Sequence, residues 1–199
     1  MTWNAVQPEH SEAARSLVHP LDAFYSRSGL ALPPLEAIDG EAMPEPYKSL
    51  LVHERDMTST LEGFHQRRVR LNLIGRQVSG SDYFREVVLV LDDGGEPVEF
   101  GAIHIHLNRF EAKVRDLILA AQLPLGRILN DNQLAYVSRP KAFLRLASDR
   151  TIDRLLALRG AHILFGRRNT LSDSVGRPLA EIVEILPPAP QNHGATDRI

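Results

Sequence analysis

A single arginine inside an apolar segment is the residue with the clearest potential for chemistry. Arg85 lies in residues 83–91, YFREVVLVL, and shares one strand face with Tyr83 and Val87. Burying its charge without a partner would be prohibitive, because arginine stays protonated. Glu86, another carboxylate of the chain, or open water at a strand end would be an ordinary partner. The alternative is a ligand carboxylate, which a guanidinium group binds through two parallel hydrogen bonds.

Two histidines form a second group of candidate functional residues. His104 and His106 alternate with Ile103 and Ile105, so a strand would place the two histidines together on one face. A His-x-His pair on a strand can share a metal ion. The sequence forces no third or fourth ligand, however, and we predict no metal site. The histidines are instead interpreted as one wall of a polar, substrate-binding pocket or as a solvent face.

The residues around Arg85 predict a β-hairpin. The first strand ends at the turn residues 92–97, DDGGEP, and a second apolar run begins at Val98. Before this hairpin, residues 67–78 alternate between apolar and polar side chains, which is typical of a half-buried strand.

A short helix is predicted from residue 56 onwards. Asp56 is a suitable N-cap, and Ser59 with Glu62 has the spacing of a capping box. Met57, Leu61 and Phe64 recur at helical spacing, so this face of the helix should point to the core. The backbone N–H groups of its first turn remain free to meet an anion or a hydroxyl.

The other segments complete an α+β pattern. We expect a single domain over 1–190, with an irregular N-terminal extension over 1–45 and a disordered tail over 191–199. Its fold is predicted to be one antiparallel sheet of about six strands flanked by helices. Further helices are expected near 8–17, 47–52, 111–121 and 148–158, further strands at 134–146 and 179–186, and a tight turn at 124–129.

The composition excludes several functional classes. The 199 residues carry a formal charge of −2, so no strongly basic surface predicts binding to nucleic acid. There is no cysteine, which excludes disulfides, thiolate metal sites and a cysteine nucleophile. The first sixteen residues lack the apolar core of a signal peptide, and no apolar run is long enough to span a membrane. We therefore expect a cytoplasmic protein.

Four segments in this order resemble the chorismate pyruvate-lyase family, in its divergent, actinobacterial-type branch. Together they extend over residues 50–187, about two-thirds of the chain, and their order and spacing carry the resemblance. The segments are Leu50-Leu51 through Asp56-Met57-Thr58; Phe84-Arg85-Glu86 with the turn 93–97; residues 124–129, PLGRIL; and Gly166-Arg167-Arg168 with Gly176-Arg177-Pro178 and Glu184-Ile185-Leu186-Pro187.

This resemblance implies a fold with an internal ligand pocket closed by helix-turn flaps. It also implies a carbon–oxygen lyase that removes pyruvate from chorismate, without a cofactor or metal, to give 4-hydroxybenzoate or a related hydroxybenzoate. Matched residue by residue, Arg85 would bind the ring carboxylate, and Met57 and Leu125 would line the pocket and offer backbone N–H groups. Glu184 would contact the far end of the ring and assist a proton transfer, so that Arg85 and Glu184 would be the catalytic pair.

The sequence departs from the family pattern at three places. It carries extra residues before Leu50 and an additional helix at 148–160, which the shorter members of the family lack. Glu181 also fits the last strand of the family, but a separation of three residues puts Glu181 and Glu184 on opposite faces. We expect Glu184 in the pocket, because its distance from the Gly-x-Pro turn and from the terminal Leu-Pro fits better. His104 and His106 replace residues that are expected to be apolar, which bears on the substrate more than on the fold.

Two alternatives to the lyase are kept. One is a related enzyme of specialised metabolism that acts on a different small acid or polycyclic intermediate. The other is a non-catalytic module that binds an aromatic acid, because the same fold serves as the effector-binding half of some bacterial repressors. In each case the expected partner is a small aromatic or cyclic carboxylate, with no nucleic acid and no membrane, bound by a monomer or a homodimer.

Overall fold

The computed structural model describes residues 17–189, which form one antiparallel seven-stranded sheet flanked by helices. This is the predicted α+β class, with one strand more than the sequence suggested. The strands are β1 (Leu35–Ile38), β2 (Val69–Ser79), β3 (Asp82–Leu91), β4 (Pro97–His106), β5 (Val137–Ala147), β6 (Ile163–Ser172) and β7 (Pro178–Leu186). The α-helices are α1 (Leu21–Arg27), α2 (Tyr47–Leu51), α3 (Met57–His65), α4 (Ala112–Ala120), α5 (Leu125–Asp131) and α6 (Arg150–Leu155), and 3₁₀ turns cover Gly40–Ala42 and Leu107–Arg109.

Hairpin connections build most of this sheet. The strand order is β1-β5-β6-β7-β4-β3-β2, so β2-β3-β4 and β5-β6-β7 are two meanders that meet where β7 pairs with β4. The predicted hairpin is the pair β3–β4, in which Arg85 lies opposite Ile103. The two meanders join at the centre of the sheet, where polar side chains from β3, β4, β6 and β7 can converge on one face.

Helices cover both faces of the sheet. One face packs against α1 and α6 through side chains such as Phe24 and Ile152, and Val88, Phe100 and Val183 come from the sheet. The opposite face carries Arg85 and is covered by α2, α3, α4 and α5 in two further apolar clusters. Both faces of β3 are therefore buried, as its nearly continuous apolar sequence predicts.

The N-cap signal for α3 is confirmed, but the Ser59–Glu62 capping box does not form, because Ser59 lies inside the helix and Glu62 Oε1 accepts from the Val69 N–H at 3.0 Å. Asp56 is its N-cap, and the side-chain Oδ1 atom accepts a hydrogen bond from the Ser59 N–H at 2.8 Å. Met57 and Leu61 are buried at helical spacing, but Phe64 on the same predicted face is largely exposed. The N-cap fixes the position at which α3 begins over the sheet.

Two segments differ from the sequence-based prediction. Residues 17–45 are not wholly irregular, since they contain α1 and the edge strand β1, which pairs with β5. Residues 124–129 contain no isolated turn but the start of α5, with Pro124 as its N-cap, a position next to the one where proline suits a helix best. The helix expected near 8–17 and the tail at 191–199 lie outside the described residues, apart from residue 17 itself.

Within residues 17–189, no helix combines the length and the apolar character that crossing a membrane requires.

Candidate functional site

Arg85 is the centre of the candidate site. Its side chain is fully buried on the face of β3 that also carries Val87 and Leu89. None of its three guanidinium nitrogens has a hydrogen-bond partner among the described residues. Burial lowers the pKa of Arg85 to about 10, and the interaction with Tyr83 partly offsets that decrease, although the Tyr83 hydroxyl makes no well-formed hydrogen bond with it. The group is therefore a buried, unpaired cation at neutral pH.

Arg85 borders a small cavity. The cavity has a volume of about 40 Å³, enough for two or three water molecules. Aliphatic side chains from the sheet and from α5 form most of its wall, including Leu71, Val87, Ile103 and Ile182. The polar residues that line it are Asp56, Thr58, Arg85, Glu99, Asn169 and Glu184.

Glu99 is the most unusual of these polar residues. It lies on β4 opposite Leu89, and only 4% of it is exposed. Burial, followed by the negative charge of Glu184, raises the pKa of the Glu99 carboxyl well above its usual range. This shift favours the neutral acid over the carboxylate, and the Oε2 atom of Glu99 has no hydrogen-bond partner among the described residues.

Glu184 is paired with a second buried arginine. β6 places Arg167 directly opposite Glu184 on β7, and the Arg167 Nε–H donates to Glu184 Oε2. The same guanidinium donates to three backbone carbonyls that precede α3, those of Leu51 at 3.2 Å, His53 at 2.9 Å and Arg55 at 3.2 Å. Arg167 thus ties the loop before α3 to the sheet and satisfies the carboxylate of Glu184.

Asn169 contributes one more unpaired polar atom. Its Nδ2–H group donates to Ser138 Oγ at 3.0 Å, so the amide is held in one orientation. Its Oδ1 atom is buried without a partner among the described residues, although the side chain lines the cavity. Unpaired buried polar atoms are rare in folded proteins, and each has a desolvation cost. Five such atoms, on the three residues Arg85, Glu99 and Asn169, border one cavity.

The buried charges around the cavity favour a single anion. Arg167 and Glu184 neutralise each other, and the raised pKa of Glu99 favours its uncharged form. Arg85 therefore leaves one positive charge among the buried groups. Asp56 also borders the cavity, but it is only half-buried, and its carboxylate caps α3. The arrangement suits a monoanion with further hydrogen-bonding groups.

The first turns of two helices close the cavity. Met57 and Leu125 are the first residues of α3 and α5, and both line the cavity. The two helix starts lie close together, because a Cβ atom on Gly126 would approach Asp56 Oδ1 to 3.0 Å. An ion pair between Glu62 and Arg127 also joins the two helices. A ligand larger than a few water molecules requires these helix starts to separate.

The structure places His104 and His106 away from this cavity, which corrects their assignment to the substrate pocket. In β4 it is Ile103 that shares a face with Arg85, whereas His104 lies opposite Phe84 and Glu181 on the other side of the sheet. Of the two alternative glutamates in β7, Glu184 lines the cavity and Glu181 does not.

Sequence reasoning missed three of the polar residues at the site. Glu99 interrupts an apolar strand just as Arg85 does, and this signal was available because residues 98–105 are otherwise apolar apart from His104. The sequence analysis named Arg167 only as part of the motif Gly166-Arg167-Arg168, and no sequence pattern marked Asn169 as a site residue. Their importance depends on the strand register, which brings β6 next to β7.

Comparisons with known proteins support the fold but give no family by sequence. The sequence matches no protein-family model. It also matches no curated protein. Among solved structures, PhnF from Mycobacterium smegmatis has 12% sequence identity and a TM-score of 0.51 over 68% of this chain and 64% of that chain. The effector domain of PhnF has 13% identity and a TM-score of 0.51 over 66% of this chain and 87% of that domain. A GntR-family transcriptional regulator from Bacillus cereus has 13% identity and a TM-score of 0.43, over 66% of this chain and 98% of that chain.

These structures correct the prediction of an enzyme. The two structures with TM-scores of 0.51 are PhnF and the effector domain of PhnF, and neither is named as a lyase. The prediction of a chorismate lyase-like, cofactor-independent pyruvate-lyase is therefore wrong. The geometry gives a physical reason, because Glu184, the expected proton carrier, is held in an ion pair with Arg167.

Proposed function

We propose that this chain is a non-catalytic module that binds a small aromatic or cyclic carboxylic acid. The observation that carries the proposal is the guanidinium group of Arg85, which is fully buried, positively charged and unpaired at the edge of a cavity. A ligand carboxylate would accept two hydrogen bonds from it and neutralise the charge. The free energy lost by burying an unpaired cation would be recovered when the ligand binds.

A carboxylate fits this site better than a phosphate group. The buried groups leave a single positive charge, which one carboxylate neutralises. A phosphate dianion would add a second negative charge beside Glu184 and Glu99, where burial already disfavours the ionised form of Glu99. Glu99 can remain protonated next to a monoanion and donate a hydrogen bond to it.

The walls of the cavity favour a compact apolar body for the ligand. They consist mainly of branched aliphatic side chains, which pack well against a flat ring. At the polar positions, Asn169 Oδ1 accepts one hydrogen bond from a donor such as a hydroxyl group. An aromatic or cyclic acid with a hydroxyl group would satisfy the guanidinium of Arg85 and this acceptor together.

Binding requires the cavity to expand. Its present volume of about 40 Å³ is far below the several hundred Å³ typical of ligand sites. The mobile wall would be the pair of helix starts at Met57 and Leu125, because the opposite walls belong to the central strands. Ligand entry would therefore change the separation of α3 and α5, which gives the module a way to report its occupancy.

The similarity to the effector domain of PhnF supports a role in which binding, not turnover, is the output. At 13% identity this similarity concerns the fold, so the choice of ligand depends on the cavity itself.

The proposal is tested by isothermal titration calorimetry with a matched pair of probes, 4-hydroxybenzoate and 4-hydroxybenzamide. Both have the same ring and hydroxyl group, and only the first carries a carboxylate. We expect 1:1 binding of the acid and at least about 30-fold weaker binding of the amide, since a charged hydrogen-bonded pair is worth roughly 2 kcal/mol or more. Equal affinities, or no binding of any tested ring acid, would contradict the proposal. Incubation with chorismate at high protein concentration should release no pyruvate.

A further inference from the structure

A second group of polar residues lies on the opposite face of the sheet from the cavity. His19 precedes α1, His104 lies on β4, and Glu181 lies on β7. The Nε2 atom of His19 is 3.2 Å from the Nδ1 atom of His104. The Oε2 atom of Glu181 is 3.5 Å from this His104 nitrogen and 3.8 Å from the His19 nitrogen. Three potential ligand atoms from three separate segments thus converge on one point.

We propose that His19, His104 and Glu181 form a binding site for a divalent transition-metal ion such as Zn²⁺. A tetrahedral ion with ligand bonds of about 2.1 Å holds its ligand atoms roughly 3.4 Å apart. The three observed separations of 3.2, 3.5 and 3.8 Å lie around that value. Two imidazole nitrogens and one carboxylate oxygen are a ligand set that Zn²⁺ and similar ions use in proteins.

Each histidine has a carboxylate partner on its far side. His19 Nδ1 is 3.2 Å from Asp22 Oδ1, and His104 Nε2 is 2.8 Å from Asp82 Oδ1. A carboxylate accepts the N–H of the ring nitrogen that faces it, which leaves the lone pair of the other nitrogen free to bind a metal. This pairing of metal-binding histidines with carboxylates is general in zinc sites.

These two carboxylate contacts make the close approach of His19 to His104 unfavourable when no cation lies between the rings. If His19 Nδ1 and His104 Nε2 carry the protons, His19 Nε2 and His104 Nδ1 present lone pairs to each other at 3.2 Å. These lone pairs repel unless a cation occupies the space between them. A single proton, which would turn one ring into imidazolium, is the simplest competitor of the metal ion.

The local charge favours a divalent cation. Asp22, Asp82 and Glu181 surround the two histidines, and Arg168 donates to Glu181 Oε1 at 3.1 Å. With neutral histidines, three carboxylates and one guanidinium leave two negative charges, which one divalent ion neutralises. Arg168 holds one carboxylate oxygen of Glu181 and leaves the other to face the histidines.

The ligand atoms are held firmly but remain accessible. The ring of His104 stacks on Phe84, with 4.2 Å between ring centroids and 10° between the planes. The exposed fractions of the side chains are 29% for His19, 11% for His104 and 23% for Glu181. An ion could therefore enter from solvent and keep a water molecule in its fourth position.

The test is a titration of the tag-free full chain with ZnCl₂ after treatment with a chelator, followed by calorimetry. We expect one ion per chain, with a dissociation constant in or below the micromolar range. Titration with CoCl₂ should give the visible absorption bands of a tetrahedral or five-coordinate cobalt site. Absence of saturable 1:1 binding of either ion would overturn the proposal.

Variants identify the ligands. His19→Ala, His104→Ala and Glu181→Gln should each weaken Zn²⁺ binding by roughly 100-fold or more, and Asp82→Asn by roughly 10–100-fold. His162→Ala is the matched control, because that imidazole lies on an exposed surface and hydrogen-bonds the Arg159 carbonyl. It should leave binding unchanged.

A further variant separates this site from a rival ligand set. His106 Nδ1 is 3.3 Å from Asp82 Oδ1, so His104, His106 and Asp82 form a second possible cluster. His106→Ala should have at most a small effect. A large effect of His106→Ala combined with none of His19→Ala would overturn the assignment.

If His104→Ala fails to fold, His19→Ala carries the test, because His19 lies in a partly exposed loop. Arg85→Met should not change metal binding, since Arg85 faces the other side of the sheet.

Discussion

Two buried arginines on the same face of the sheet have opposite surroundings. Arg85 on β3 and Arg167 on β6 are both fully buried. Arg167 has an ionic partner in Glu184 and donates to three backbone carbonyls, whereas Arg85 has no partner among the described residues. A protein buries a cation only when something compensates for the lost hydration. Arg167 is compensated from within the fold, and Arg85 faces a cavity from which an external anion can compensate it.

This difference separates a structural role from a functional one. Because Arg167 joins β7 to the loop before α3, its loss should damage the fold and move the helix that covers the cavity. Arg85 holds nothing together, so its loss should affect the ligand and not the fold. The two arginines serve as matched controls for each other in the experiments below.

The largest effect is expected from Arg167→Met. The substitution leaves Glu184 as a buried carboxylate without its partner and removes the donor for three carbonyls. We expect the free energy of unfolding to fall by about 3–5 kcal/mol, as measured by urea denaturation. The double variant Arg167→Met/Glu184→Gln should recover part of this loss, because no buried charge is then left unpaired. A loss below about 1 kcal/mol for the single variant would show that Arg167 is not the structural arginine.

Arg85→Met should have the opposite profile. Binding of 4-hydroxybenzoate should weaken by about 2–4 kcal/mol, since the charged hydrogen bonds to the carboxylate are lost. The free energy of unfolding of the ligand-free protein should stay the same or rise by about 1–3 kcal/mol, because an unpaired buried cation is replaced by an apolar side chain of similar length. Calorimetry and urea denaturation on one preparation measure both quantities. A clear loss of stability with unchanged affinity would reverse the roles of the two arginines.

The sequence predicts one of these arginines better than the other for a physical reason. Arg85 interrupts an apolar strand, which is visible without a structure. Arg167 begins the polar run RRNT at the end of an apolar segment, so the sequence does not mark it as buried. The pairing of Arg167 with Glu184 depends on the register between β6 and β7, and register is a long-range property that short patterns do not encode.

The same limit applies to the two faces of the sheet. The alternation of His104 with Ile103 correctly separates two faces in β4. This alternation does not show which face of β4 lies on the same side of the sheet as Arg85, because helices cover both sides. β1 and α5 were missed because they are short, four and seven residues, and begin next to prolines that usually mark irregular chain. The hairpin β3–β4 and the helix α3 were predictable because turn and capping residues are local signals.

The contribution of Glu99 to folding stability should depend on pH, and this dependence tests the charge balance around Arg85. Its pKa in the folded protein is raised well above the usual value, chiefly by burial, whereas in the unfolded chain it ionises normally. Above the unfolded pKa the folded state therefore holds a proton that the unfolded state releases, so the contribution of Glu99 to stability falls as pH rises. Relative to Glu99→Gln, the wild type should lose about 1.4 kcal/mol per pH unit in the window between the two pKa values.

Urea denaturation of both proteins between pH 4 and pH 8 measures this difference. Arg85 and Glu184 face the same cavity and remain in both proteins, so their contributions largely cancel in the comparison. Parallel stability curves for the wild type and Glu99→Gln would mean that Glu99 is ionised in the folded state. Ionised Glu99 would then neutralise Arg85 without a ligand, and Arg85, like Arg167, would be compensated from within the fold.

The smallest expected effect comes from Asn169, whose Oδ1 atom we expect to accept the hydroxyl group of the ligand. In the wild type, 4-hydroxybenzoate should bind about 1 kcal/mol more tightly than benzoate, the usual worth of one such hydrogen bond. Asn169→Ala should remove this preference while leaving the affinity for benzoate nearly unchanged. Ser138→Ala is the comparison variant, because it removes the hydrogen bond that orients the Asn169 amide but keeps the Oδ1 acceptor, so it should reduce the preference less than Asn169→Ala does. A preference that survives Asn169→Ala but disappears in Glu99→Gln would move the hydroxyl contact to Glu99 and leave Arg85 as the carboxylate partner.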